Sequence, residues 1–197
     1  MFAQARAALS ATLIFTLLLG LGYPLAVTGI AHLAFPFQAE GSLVRDSGGR
    51  LLGSRLIAQP FIDPAYLHPR PSAAGAAGYD ASSSGGSNLG PLNPALADRM
   101  RASAQALRDE GQGPIPAADA VTTSASGLDP DISPANAFAQ AGRVAAARGA
   151  PESAVRRVIA GQVVPPALGF LGRPRVNVLM TNIALDAELG RRQPPAR

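Results

Sequence analysis

The chain has no cysteine, no lysine and only two histidines in 197 residues, and aromatic residues make up 5% of it. Without cysteine there are no disulfides and no thiolate metal sites, and the compartment can be reducing or oxidising. Without lysine the Walker phosphate loop, Schiff-base chemistry and Ser-Lys catalysis are excluded, because each needs an amine at a fixed position. His32 lies in or beside a long apolar run, so His68 would have to act alone as general base or metal ligand. In YLHPRPS it reads as a loop residue beside prolines. No Gly-x-Ser-x-Gly nucleophile elbow occurs.

All 17 basic side chains are arginine, set against 13 acidic ones for a net charge of +4. They are dispersed, with Arg156-Arg157 and Arg191-Arg192 the only adjacent pairs. Together with the few aromatics this leaves neither a phosphate-tracking stripe nor a base-stacking platform, which argues against a nucleic-acid partner.

What is present is apolar content, 47% of the chain, enough for one folded core. From Ala7 to Ala39 there is no Asp, Glu, Lys or Arg, and this run supplies the roughly 20 apolar residues of a spanning helix. It exceeds the roughly 7–15 apolar residues of a cleaved signal peptide, so an uncleaved anchor is expected in spite of the small residues at Gly29-Ile30-Ala31. Arg6 precedes the run and Arg45 and Arg50 follow it, so charge alone does not fix its orientation. A short tail before the span and a large domain after it favour an inside amino terminus. The expected organisation is a cytoplasmic tail at 1–6, a membrane helix and flank at 7–37, and a domain outside the plasma (inner) membrane at 38–197. Gly22, Ala26 and Gly29 share one helical face that admits a neighbouring helix closely, and Tyr23-Pro24 marks a bend.

Beyond the span, Ser42 to Val44 and Leu51 to Ile57 read as a hairpin about the turn Asp46-Ser47-Gly48-Gly49. A Pro-, Gly-, Ser- and Ala-rich segment of more than about thirty residues follows, and loops of that length are usually functional or disordered. Helical signals then take over. Asn93 caps a helix with Pro94 at its first position, closed by Gly111 and Pro114; Ser133 and Pro134 open a second that runs to Gly149; a third spans Pro151 to about Ala160. Val121 to Ser124 reads as a short strand. Val176, Val178 and Met180 alternate as another, before a closing helix from about Asn182. The mixture predicts a single α+β or α/β domain. Asp129 and Asp131 lack the Gly and terminal Glu of a calcium loop and read as a helix start.

Within the long segment, SSSGGSNLGPLNP (Ser82 to Pro94) is the most ordered in its choices. Its glycines allow close approach of backbone to a ligand, and its N–H and hydroxyl groups can cradle an anion or its carbonyls a cation. An ordinary turn has the same composition.

Taken in order, GYPLAVTGI, FPFQAEGSLV, GSRLIAQPF, YLHPRPSA, SSSGGSNLGPLNP, VTTSASGLDPDIS, RVAAARG and VNVLMTNIALD run along nearly the whole chain. In these pieces the sequence resembles the C subunit of the bacterial Kdp potassium-transporting ATPase. It departs from that pattern at Ala58, where a Gly-Gln pair is usual, and at Met180-Thr181 before Asn182. The resemblance implies a noncatalytic, single-span accessory subunit that assembles with a channel-like potassium-binding subunit and a P-type ATPase subunit. The phosphorylation loop of such pumps contains Asp followed by Lys, which a chain without lysine cannot supply. The family is described as a chaperone that raises the ATP affinity of the pump subunit, its Ser/Gly stretch likened to the ABC-transporter signature. That implies nucleotide or partner contacts at Gln59, Ser84, Gly85, Gly86, Ser87 and Asn88, with no tightly bound cofactor and ATP met only through the complex. A domain outside the membrane does not meet cytoplasmic ATP, and the loop would then contact the channel subunit or its potassium entrance. An envelope-anchored ligand-binding module or hydrolase, unrelated to transport and built on the same loop, is the alternative.

Overall fold

A computed structural model describes residues 2–113 and 115–190; Pro114 and the Arg191-Arg192 pair lie outside them. The chain divides into two compact units between Ser54 and Arg55.

The first unit opens with one apolar helical run from Phe2 to Ala34, long and apolar enough to cross a membrane. It consists of α1 (Phe2–Phe15), a π-helical stretch (Thr16–Gly22) and α2 (Tyr23–Ala34), and no residue in it is buried by the rest of the chain. Pro24 explains the π-helical stretch: its ring would clash with the carbonyl four residues back and it offers no N–H. The register therefore slips ahead of it, and the Tyr23 N–H donates to Leu18 O, five residues back. Phe35 leaves helical geometry before Pro36, which opens the short α3 (Pro36–Ala39). The expected hairpin follows as β1 (Leu43–Arg45) and β2 (Leu51–Ser54), antiparallel, with Leu43 opposite Ser54. Asp46 fixes its turn by accepting from the Gly48 and Arg50 N–H groups at 3.0 and 2.9 Å.

The second unit is α+β. Its helices are α4 (Pro94–Asp109), α5 (Ala118–Val121), α6 (Pro134–Ala139), α7 (Ala141–Arg148), α8 (Glu152–Gly161) and α9 (Val178–Leu189). Three very short strands, β3 (Asp131–Ile132), β4 (Val163–Val164) and β5 (Arg175–Asn177), form an antiparallel sheet in the order β3-β5-β4. The core lies where α7, α8 and α9 meet this sheet, with Val144, Val155, Ile159, Val176 and Leu185 fully buried. Caps set the boundaries. Asn93 accepts from the Ala95 N–H and Ser133 from that of Asn136, each followed by proline at the first helical position. Gly149 ends α7 in the left-handed conformation at φ 63°.

Three expectations are corrected. Val121 to Ser124 is no strand: Val121 ends the helical turn α5. The Asp119 carboxylate in that turn accepts from the Ser133 N–H (2.7 Å), the Ser133 hydroxyl (2.8 Å) and the Asn136 amide (3.1 Å), which binds the turn to the start of α6. The helix from Pro134 is interrupted at Gln140, whose side-chain amide holds the His68 backbone at both its N–H (2.8 Å) and its carbonyl (3.1 Å). Finally, β5 stops at Asn177 and α9 begins at Val178 rather than near Asn182. The Asn177 side chain accepts from the Met180 N–H at 3.1 Å, and this cap overrides the Val176–Val178 alternation.

The Pro/Gly/Ser segment has one 3-10 turn (Ala81–Ser83) yet is fixed in place. Leu67 is fully buried within it, and Asn182 engages both backbone groups of that residue.

Candidate functional site

The Ser/Gly stretch is held by a second run of the same composition, TTSASG, Thr122 to Gly127. Asp80 starts it: its carboxylate accepts from the Ser82 N–H (2.9 Å) and hydroxyl (2.6 Å), which hold its pKa below the ordinary carboxylate value. The chain then turns so that the Ser84 hydroxyl (3.0 Å) and the Gly85 N–H (2.9 Å) both donate to the carbonyl of Ser126. The glycines are needed here for close approach. A Cβ on Gly86 would stand 2.9 Å from the Ala125 carbonyl oxygen, and one on Gly127 would stand 2.7 Å from both Gly85 O and Ala74 N. Gly127 also has φ 67°, where any side chain is strained. The Ser72 hydroxyl completes the junction, donating to Gly127 O at 2.6 Å and accepting from the Tyr79 N–H at 2.8 Å.

Beside this junction lies an open cleft of about 620 Å³, with Ser84, Ser124, Ser126, Arg70 and Asp129 as its polar lining and Leu56, Ile57 and Leu128 among its apolar lining. Arg70 pairs with Asp129 at 3.2 Å and also donates to the Thr122 hydroxyl (3.3 Å) and the Thr123 carbonyl (3.1 Å). Asp131, its companion in sequence, is engaged elsewhere, accepting from the Asn177 amide (2.8 Å) and pairing with Arg175 (2.9 Å). Among the described residues no cluster of three or more His, Asp or Glu side chains is placed to hold a metal ion.

Of the residues singled out in sequence, Ser84, Gly85 and Gly86 come together on the Ala125–Gly127 backbone. Ser87 is half-buried, and Asn88 is exposed in a left-handed conformation at φ 52°. Gln59, half-buried, follows Ala58, whose N–H donates to Leu128 O at 2.9 Å; neither it nor Ser87 or Asn88 lines the cleft. Gly22, Ala26 and Gly29 lie in the first unit, all exposed, and a Cβ on Gly29 meets nothing within 4 Å. Sequence reasoning missed Arg70, Ser124 and Ser126. The available signal was the recurrence of Ser and Gly in TTSASG, which pairs with the first Ser/Gly run.

His68 stands outside the cleft, its Nε2 within 3.2 Å of Asp63 O and 3.3 Å of an Arg143 guanidinium nitrogen. Burial, and then the Arg143 charge, push its pKa below 6.5, so the ring is neutral at pH 7. Asp119 is titrated by opposing influences. Burial raises its pKa, but the hydrogen bonds from Ser133 and Asn136 outweigh burial and hold it below 3.8.

A sequence profile described as "KdpC: K+-transporting ATPase, c chain" matches residues 5–187. The chain belongs to the KdpC family. Its relatives include proteins named "Potassium-transporting ATPase KdpC subunit". That of Caulobacter vibrioides (strain NA1000 / CB15N) is 60% identical over 195 residues, covering 99% of this chain and 96% of the relative. That of Caulobacter sp. (strain K31) is 61% identical over 187 residues, 95% of each. The protein of Beijerinckia indica subsp. indica is 56% identical over 198 residues, 99% of each. KdpC membership agrees with the segments quoted above, from GYPLAVTGI at the junction of the π-helical stretch and α2 to VNVLMTNIALD across β5 and α9.

Proposed function

We propose that this KdpC-family chain is a noncatalytic accessory subunit of an ATP-driven potassium uptake complex and that it acts mechanically. The apolar helix docks against membrane partners through Gly22, Ala26 and Gly29, and the unit from Arg55 onward braces the potassium-binding subunit outside the inner membrane. The P-type ATPase subunit carries the phosphorylated aspartate, for which this chain has no lysine-containing loop.

The observation that carries the reading is the direction of the donors in the Ser/Gly stretch. A phosphate cradle needs N–H and hydroxyl groups pointing at a ligand. Here the Ser84 hydroxyl and the Gly85 N–H both serve the chain's own Ser126 carbonyl, and Gly86 lies against Ala125. The stretch is a latch between two loops, suited to keeping a bracing surface rigid.

The test uses the natural absence of cysteine. A single Ser83→Cys variant, exposed in the 3-10 turn, is treated in intact cells with a membrane-impermeant thiol reagent. Labelling is the expected result. Protection relieved only by permeabilising the membrane would put the loop on the side of ATP and overturn the bracing reading in favour of the nucleotide-chaperone one.

A further inference from the structure

Between β4 and β5 the chain reads VVPPALGFLGRPR, and from Val163 to Gly172 no side chain carries a hydrogen-bond donor or acceptor. The connection is a closed hairpin turn. Ala167 and Leu171 exchange both backbone hydrogen bonds, at 3.0 and 2.9 Å, and the N–H groups of Gly169 and Phe170 donate to Pro166 O and Ala167 O. Leu168 and Gly169 take left-handed φ values of 54° and 82° to close it. The closure presents Leu168 at 82%, Phe170 at 74% and Leu171 at 52% exposure. A lone exposed leucine is ordinary, but three large apolar side chains within four residues on a fixed tip mark a contact surface.

We infer that this tip inserts into the surface of an anionic lipid bilayer. Three features favour lipid over a protein surface. The N–H groups of Ala167, Gly169, Phe170 and Leu171 are paired within the turn, which suits a medium without hydrogen-bonding partners. No side chain from Val163 to Gly172 can supply the polar contacts that accompany protein interfaces, about one hydrogen bond per 100–200 Å². Arg173, just behind the tip, is exposed and forms no ion pair with a described residue, whereas Arg175 is taken by Asp131. An apolar tip backed by a guanidinium matches acyl chains beneath anionic headgroups.

The inference rests on the reading of the N-terminal helix as a membrane span. The second unit is then joined covalently to the span through residues 35–54 and cannot diffuse away from the bilayer.

The chain has no tryptophan, so a single introduced indole reports on its own surroundings. Full-length Phe170→Trp, Leu92→Trp and Leu19→Trp variants are reconstituted separately into vesicles of phosphatidylcholine and phosphatidylglycerol carrying brominated acyl chains. All three positions are exposed within the chain. Expected are a blue-shifted Phe170→Trp emission, quenched roughly twofold or more beyond Leu92→Trp, and weaker quenching without phosphatidylglycerol or with Arg173→Ala. Quenching of Leu19→Trp without that of Phe170→Trp would overturn the inference and leave the span intact. Absence of quenching at both positions would overturn both. Shielding of Phe170→Trp that develops only with the partner transport subunits would also overturn it, making the tip a protein contact.

Discussion

Asn182 crosses the second unit to hold Leu67, accepting from its N–H at 2.7 Å and donating to its carbonyl at 3.0 Å. Both residues are buried, so Asn182→Ala would leave two backbone groups without partners, at about 2–4 kcal/mol in total. For a unit of this size that corresponds to a melting temperature lowered by roughly 10 °C, measurable by circular dichroism on the full chain. A shift within about 2 °C would mean that water replaces the amide and that the clamp is dispensable. Arg148 acts similarly. Its side chain is almost wholly buried, donating to the carbonyls of Ala65, Leu185 and Gly190 and pairing with Asp186 at 2.9 Å. These roles were not legible in sequence because the partners are distant, 115 residues for Asn182–Leu67 and 83 for Arg148–Ala65. The caps at Asn93 and Ser133 were legible because each serves a donor two or three residues on.

Among the elements, helices with a cap and a proline start emerged from local chemistry, while of the β3-β5-β4 sheet only the strand at Val176 did. The two-residue strands β3 and β4 are too short to show an alternating pattern. The candidate site was half legible. The first Ser/Gly run stood out by composition, but the structure makes it one side of a two-sided latch whose other side is Thr122–Gly127. That arrangement separates shape from chemistry. Gly86→Ala sets a Cβ 2.9 Å from a backbone oxygen that cannot swing away, and the expected cost is about 1–3 kcal/mol with displacement of the loop. Ser84→Ala removes one exposed hydrogen bond, worth about 0.5–1.5 kcal/mol. Potassium uptake by the reconstituted complex should therefore fall further with Gly86→Ala than with Ser84→Ala, at unchanged KM for ATP in the serine variant. A raised KM for ATP in Ser84→Ala, with Gly86→Ala behaving normally, would instead identify the loop as a nucleotide contact.

In the molecule as a whole, the division at Ser54 separates two kinds of surface. The first unit exposes its apolar helix on every side, and α2 carries the small residues Ala26 and Gly29, with nothing of the chain's own within 4 Å of a Cβ on Gly29. Gly29→Leu should leave the melting of the second unit unchanged while lowering co-purification of the transport subunits by about tenfold, since close helix approach is lost. Equal recovery of the complex would remove Gly29 from the assembly contact. The second unit has its own order of completion. Asn177, Asn182 and Arg148 hold Arg55, Leu67 and Ala65 through their carbonyls, and for Leu67 its N–H as well. All three anchors belong to the later part of the chain, and α9 is the last described element to leave the ribosome. A nascent chain thus cannot close its opening loop until α9 has been made. The opening loop and the closing helix therefore fold together or not at all, and the early part of the unit waits as open chain for its late partners.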